Sequence, residues 1–346
     1  MIMRTSFETH VVVTSISGPN SILREIATGC QAEEWGFVVA GDRRSPADFE
    51  IEGCRYLDIE AQRSESPRYG ALCPENSYVR KNIAYLSAVA RGADTIVETD
   101  DDNLPLTDFW RRRKLSLDGR IASALGWLNV YRFFCDGFIY PRGFPLDAVR
   151  ASQADGAHEV KLGTVLCPIQ QGLVDEQPDV EAVFRLLLGE APPFRQGAPV
   201  ILDEHTWCPF NSQNTMFSQS VFPLLYLPAS CTFRATDIWR GFVAQRLLWT
   251  CGWRLAFTQA DVRQIRNPHN LLSDLELEVP VYLLSRKIAE TLDALSLPGG
   301  SQNLTTNLLT CYEALARIGA VESSELNLLS AWLQDLSDLG WTPTGV

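Results

Sequence analysis

Three short apolar runs limit what this chain can fold into. They are HVVVTS (10–15), GFVVA (36–40) and TIV (95–97), and the first two close in Gly18-Pro19-Asn20 and Gly41-Asp42. Apolar runs this short, without polar alternation, suit strands covered on both faces. Residues 22–31 lie between the first two runs and carry apolar side chains at helical spacing. Residues 54–59 (CRYLDI) read as a third short strand. Strand, crossover helix and strand in this order start a βαβ sheet, so the expected class is α/β. The first turn has no Gly-x-Gly-x-x-Gly, which argues against a dinucleotide site of the usual kind.

Composition narrows the partners. Hydrophobic residues are 46% of the 346, enough for a sizeable core, and only 21% are charged. The net charge of −12 and the absence of a prominent basic run predict no nucleic-acid partner and no anionic membrane surface. A polyanionic substrate would need a bridging cation. The nine cysteines form no Cys-x-x-Cys pair and the four histidines are far apart, so a zinc site is not expected. Buried free thiols in a reducing compartment are the simpler reading. The opening residues are too short for a signal core, and no run reaches 18 apolar residues. A protein without a membrane span, cytoplasmic in location, is expected; the oligomeric state stays open.

Further along, residues 79–91 (VRKNIAYLSAVAR) predict a helix with Val79, Ile83, Leu86 and Ala90 on one face and Gly92 as its stop. Residues 209–217 (PFNSQNTMF) read as a polar extended segment. Residues 237–250 predict a helix capped by Asp237 and ended by Gly252, followed by a strand over 253–258. After residue 281 the chain reads as helical. The expected domains are a catalytic unit over 1–280 and a helical extension over 281–346 packed on it.

The acids stand out against this frame. VETDDDN (97–103) ends the third apolar run in three consecutive aspartates. Two carboxylates 4 Å apart repel by roughly 1 kcal/mol in water and by about 4 at an effective dielectric of 20. An exposed acidic turn tolerates that. So does a metal site, because magnesium and manganese take one or two carboxylates and leave positions open for substrate phosphates. Ligands of open α/β sheets bind beyond the carboxyl ends of strands, where this triplet lies.

Residues 81–103 (KNIAYLSAVARGADTIVETDDDN) resemble the STELLO-type glycosyltransferases. YPRGFPL (140–146), DVEAVFRL (179–186), PFNSQNTMF (209–217), FRATDIWRGFVAQRLLW (233–249) and RNPHN (266–270) extend the likeness over most of residues 10–285. A weaker resemblance runs to the reversibly glycosylated polypeptides, which are UDP-arabinopyranose mutases. Both imply a GT-A-like fold, a Rossmann-like mixed sheet flanked by helices, with a nucleotide-sugar donor and Mn2+ or Mg2+. Plant members of the first family are membrane-anchored Golgi proteins; no such anchor is expected here.

The resemblance implies roles for particular residues. Asp100 and Asp102 take metal and pyrophosphate, Asp101 meets the sugar or ribose, and His269 is a late metal ligand. Thr14, Ser15, Ser17 and Asp42 fall where such folds hold base and ribose; turn chemistry explains them equally well. Arg80 and Lys81 either reach phosphates or are solvated. Asn211, Gln213 and Asn214 are amides for a sugar or for internal backbone. Asp237 is either a helix cap or an acid near the acceptor, a candidate general base. Arg142 matches the mutase arginine that is reversibly glycosylated; it could equally clamp a phosphate or the sugar, or be only a surface ion pair. The expected activity is metal-dependent transfer from a nucleotide-sugar, a UDP-sugar by preference, to an unknown acceptor. Alternatives are a UDP-sugar mutase, a metal-dependent phosphohydrolase or nucleotidyltransferase, and a non-catalytic nucleotide-sugar-binding scaffold.

Overall fold

The computed structural model describes residues 8–153, 158–265 and 270–343. The first half holds β1 (Thr9–Thr14), α1 (Ser21–Ala32), β2 (Gly36–Ala40), β3 (Cys54–Leu57), α2 (Ile59–Glu65), α3 (Tyr69–Leu72), α4 (Lys81–Ala90) and β4 (Thr95–Thr99). Then come β5 (Asn103–Pro105), β6 (Ser116–Ser123), β7 (Gly126–Trp127), α5 (Leu146–Ser152), β8 (Glu159–Leu166), β9 (Ile169–Asp175) and α6 (Ala182–Leu188). The chain ends with β10 (Val200–Leu202), β11 (Thr206–Trp207), β12 (Asn214–Ser218), α7 (Thr236–Thr250), β13 (Leu255–Gln264), α8 (Leu271–Asp293), α9 (Leu304–Arg317) and α10 (Glu325–Asp338).

The three apolar runs become neighbours. β1 lies between β2 and β4, parallel to both, and β3 extends the sheet beyond β2. The full order is β3-β2-β1-β4-β12-β9-β13-β10-β6-β8, with β5 paired to β13. β12 runs antiparallel to β4 and β9, which makes the sheet mixed. The fold is thus α/β, a large mixed sheet flanked by helices with a helical C-terminal region. One face packs Val11, Val13, Val39 and Val97 under Ile22, Leu23 and Ile26 of α1. The other packs Val12, Val38 and Ile96 under α4 and α7. The chain moves outward from β1 in opposite directions, first to β2 and then, by way of α4, to β4. Where strand order reverses this way, a crevice opens at the carboxyl ends.

Two local expectations change. Asp237 does not cap α7; the helix begins at Thr236, and Asp237 stands in its first turn with its side chain turned elsewhere. The last helical region begins earlier than its apolar pattern suggests. α8 starts at Leu271, where Asn270 accepts from the N–H groups of Leu272 and Ser273, and it runs unbroken across residue 280. Gly92 does end α4, with a left-handed φ of 88°.

Candidate active-site cleft

A cleft of about 510 Å3 opens at the carboxyl ends of β1, β2 and β4. It is lined by Thr14, Ser15 and Ser17 after β1, Asp42 and Arg44 after β2, and the whole triplet Asp100, Asp101 and Asp102 after β4. Arg142, Asp179, Ser212, Gln213, Phe233, Arg234, Asp237 and Gln264 complete it from the second half of the chain. The structure therefore brings together most of the residues that the motifs single out.

Each aspartate of the triplet has its own protein partner. Lys81, fully buried at the start of α4, places Nζ 3.1 Å from Asp100 Oδ1, and the Tyr78 hydroxyl donates to the same oxygen at 3.2 Å. Ser15 donates to Asp101 Oδ2, and Asn20 Nδ2 donates to the Asp101 carbonyl at 2.9 Å. Asn20 also N-caps α1, so the same residue ties the triplet's turn to that helix. Gln264 Nε2 donates to both oxygens of Asp102, at 3.2 and 3.0 Å. Separate donors thus offset part of the repulsion among the three carboxylates. Burial, opposed by Lys81 and aided by the nearby Asp102 and Asp101, pushes the Asp100 carboxyl up to about 7. Among the described residues no group of three His, Cys, Asp or Glu side chains is arranged around a cation position. His269 lies outside the described residues. The donor set suits a hard cation that takes one or two carboxylates and fills its shell from phosphate oxygens.

Glu98 belongs to the other face of β4. Its carboxylate receives Arg240 Nη1 at 2.9 Å and Nη2 at 2.6 Å, and the Tyr85 hydroxyl as well. Glu98 is fully buried and Arg240 1% exposed, so this pair braces the strand from below and takes no part in the cleft.

The far wall is an ion-pair chain. Arg142 Nε donates to Asp179 at 2.8 and 3.0 Å, and Nη2 donates to Asp237 at 3.1 and 2.9 Å. Nη1 reaches Asp237 Oδ1 at 3.2 Å and the Arg234 carbonyl. Although burial pulls the other way, Asp179 and Asp237 hold the guanidinium more firmly protonated than usual. Gly143 permits this placement, because its φ is +89° and a Cβ there would come within 2.6 Å of Ile238. Asp237 also accepts from Ser212 N at 3.2 Å and from Ile238 N at 3.0 Å. Arg142 is thus a clasp whose donors are already committed, and at 5% exposure its ion pairs are buried and not the surface pair of the simpler reading.

The remaining residues divide in the same way. Asp42 accepts from the backbone N–H groups of Asn76 and Ser77, both at 2.8 Å, and lies 3.6 Å from Arg80 Nε. Arg80 donates to Gln62 at 2.7 Å and is 1% exposed, so it is not the solvated side chain of the alternative reading. Neither is Lys81. Asn214 does not enter the cleft. It is fully buried in β12, where its amide donates to Asp261, while its neighbour Gln213 lines the cleft. Asn211 donates to Asp179 at 2.8 Å and supports the clasp. Asp179, Ser212, Tyr78 and Gln264 received no role from the sequence, although Asp179 opens the DVEAVFRL motif and Gln264 closes the strand before RNPHN.

A short basic run, Arg111 to Lys114, was also passed over. Arg111 pairs with Asp108 at 2.8 Å, Arg112 with Glu8 at 2.7 Å and Arg113 with Asp261 at 2.6 Å, so its arginines serve internal pairs. All nine cysteines are free, and each is buried or half-buried. Among the described residues no helix is long and apolar enough to cross a membrane.

Fold and cleft together define a class: an α/β protein with a mixed sheet and a carboxylate-lined cleft at its topological switch point. Residues 234–344 match the model of the family described as STELLO glycosyltransferases. Over 355 residues, 96% of this chain, it is 27% identical to "Probable glycosyltransferase STELLO1" of Arabidopsis thaliana, and it is 26% identical to "Probable glycosyltransferase STELLO2" over 97% of the chain. The resemblance read from the motifs is thus borne out over nearly the full length. The chain spans about half of those relatives, 45% and 46% respectively. A solved structure titled "Crystal Structure of a Mycobacterial Protein" aligns with a TM-score of 0.43 at 14% identity, covering 82% of this chain and 76% of that one.

Proposed function

We propose that this chain is a glycosyltransferase unit that takes a UDP-sugar and depends on a divalent metal. The observation that carries the reading is the single cleft shared by the β1 and β2 ends, the aspartate triplet and the Arg142–Asp237 wall. Its volume falls within the range of small-ligand sites, roughly 300 to 1,000 Å3. Base and ribose lie against Thr14, Ser15 and Ser17, on a wall that Asp42 fixes through Asn76 and Ser77. The diphosphate lies at the triplet. Asp100 and Asp102, with His269, would hold Mn2+ or Mg2+, which supplies a bridging charge for the departing diphosphate.

The chain's own groups have defined tasks. Lys81 and Tyr78 fix the direction of Asp100, and Ser15 fixes that of Asp101. Asp237 is held by two N–H donors of one guanidinium, which fix its direction and occupy both of its oxygens. Its role is therefore to orient a sugar hydroxyl rather than to remove its proton. Commitment of Arg142 to Asp179 and Asp237 favours transfer to a separate acceptor over the mutase route.

Calorimetry with UDP in the presence and absence of Mn2+ tests the reading. Wild type should bind UDP only with metal, and Asp102→Ala should lose that binding. Equal binding without metal, or by D102A, refutes the metal assignment. Intact mass after incubation with UDP-sugars should show no hexose or pentose on Arg142; an adduct there would restore the mutase.

A further inference from the structure

Phe233 breaks the polar character of the cleft. It is 55% exposed, yet it lines the cleft and stands edge-to-face with Tyr78, at 5.3 Å and 89°. A lone exposed apolar residue on a mobile surface would mean little. This one is held from both sides. Thr232 Oγ1 donates to the Leu277 carbonyl of α8 at 2.7 Å. Arg234 donates to Glu278 of α8 at 2.9 and 2.6 Å, and Glu278 is fully buried, accepting also from Ala182 N at 2.7 Å and from the Tyr282 hydroxyl at 2.6 Å. The ring beneath Phe233 is fixed too, since the Tyr78 hydroxyl meets Ser212 Oγ at 2.6 Å and Lys81 Nζ at 2.8 Å. An aromatic face is thus presented to the cleft on rigid supports.

A second observation lies beside it. Gln213 follows Ser212, lines the cleft and is 7% exposed; its side-chain Oε1 is shielded from solvent and has no donor among the described residues. Buried amide oxygens are nearly always paired, and leaving one unpaired is costly. A ligand hydroxyl would pair it once the side chain turns toward the cleft. The arginines of this wall are already paired. Arg142 is taken by Asp179 and Asp237, and Arg234 by Glu278, so an anionic ligand meets no uncommitted arginine there.

We propose that Phe233 and Gln213 form the acceptor subsite, and that the acceptor is a neutral sugar ring. Its apolar face stacks on Phe233, one hydroxyl donates to Gln213 Oε1, and another is oriented by Asp237. Helix α8 is then part of the site, because it holds the residues on both sides of Phe233. The assignment rests on the transferase reading above and names the class of its second substrate.

Saturation-transfer NMR with neutral methyl glycosides and disaccharides, with a methyl glucuronide as the anionic comparison, tests it alongside UDP titration. Wild type should bind neutral rings and discriminate against the glucuronide. Phe233→Ala should weaken glycoside binding about fivefold, the order expected from half the burial of a phenylalanine side chain. Phe233→Tyr should keep it, and Gln213→Ala should weaken it with the melting temperature unchanged. UDP affinity should stay within about twofold in all three, since the stacking contact is with the acceptor. Loss of UDP binding in F233A would make the ring a nucleobase platform and overturn the proposal, as would equal glycoside binding by F233A and wild type. If wild type binds glycosides but no UDP, the donor reading fails while the subsite stands.

Discussion

Replacing Arg142 with Met puts the clasp to the test. In the wild type one guanidinium neutralises two carboxylates, Asp179 with 11% of its side chain exposed and Asp237 with 9%. Asp179 retains Asn211 Nδ2 at 2.8 Å and Arg234 at 3.9 Å after the change. Asp237 retains only neutral donors, the N–H groups of Ser212 and Ile238 and the Ser212 hydroxyl. Removing one partner of a buried pair strands the other charge, at a cost of about 3 to 5 kcal/mol. With roughly 2.1 cal/mol/K of unfolding entropy per residue, a chain this long should lose about 4 to 7 °C of melting temperature.

A single variant cannot separate lost packing from a stranded charge, so the double variant R142M/D237N is the informative one. Asn keeps the shape of Asp237 and removes its charge. If the penalty is electrostatic, the double variant should recover about half or more of the loss, a coupling of roughly 1.5 kcal/mol or greater. The assay is differential scanning fluorimetry at pH 7.5, checked by urea denaturation. A melting temperature for R142M within about 1 °C of wild type would refute the clasp. A double variant no more stable than R142M would show that the packing of the arginine, and not its charge, holds the wall.

Two further predictions concern the acids of β4 and its turn. The Asp100 carboxyl rises from 3.8 to about 7 in the folded protein, so folding favours its proton; Asp100 adds stability below about pH 4 and loses it as the pH rises towards 7. Measured against the non-titrating D100N, wild type should be about 3 kcal/mol more stable at pH 4.5 than at pH 8, and a pH-independent difference would refute the shift. Glu98→Met should cost about 3 to 5 kcal/mol by stranding Arg240, whereas E98M/R240M should return most of it. Additive losses in urea denaturation would mean that the pair is not coupled.

The sheet was readable because burial on both faces writes itself into composition. HVVVTS, GFVVA and TIV became β1, β2 and β4 with small shifts at their ends, and Gly92 stopped α4 where expected. The start of α8 was hidden because its first turns, LLSDLELE, keep exposed leucines and mix them with acids, so no apolar stripe marks them. Asn214 and Gln213 could not be told apart from sequence for a related reason. Alternate residues of a strand face opposite ways, so a one-residue error exchanges the cleft for the interior. The pairing of Asn214 with Thr99 decides that register, and no local pattern encodes it.

The acids of the site show where local reading ends. That three aspartates should sit at a switch point followed from the order of the elements before them. What each aspartate does depends on donors that arrive from elsewhere: Lys81 from α4, Ser15 from the end of β1, and Gln264 from β13, 162 residues beyond Asp102. Asp237 illustrates the same point more strongly. From its neighbours it looked like a helix cap, because an acid ahead of an amphipathic run usually is one. Arg142, 95 residues earlier, takes both oxygens of its carboxylate and holds them in the wall of the cleft. A backbone N–H at a helix start offers it one neutral hydrogen bond, while a guanidinium offers a charged, two-pronged contact of about twice the strength each. The tertiary partner therefore sets the direction of the carboxylate, which keeps the N–H of Ile238 as its one contact with its own helix, and it fixes Asp237 in the wall of the cleft.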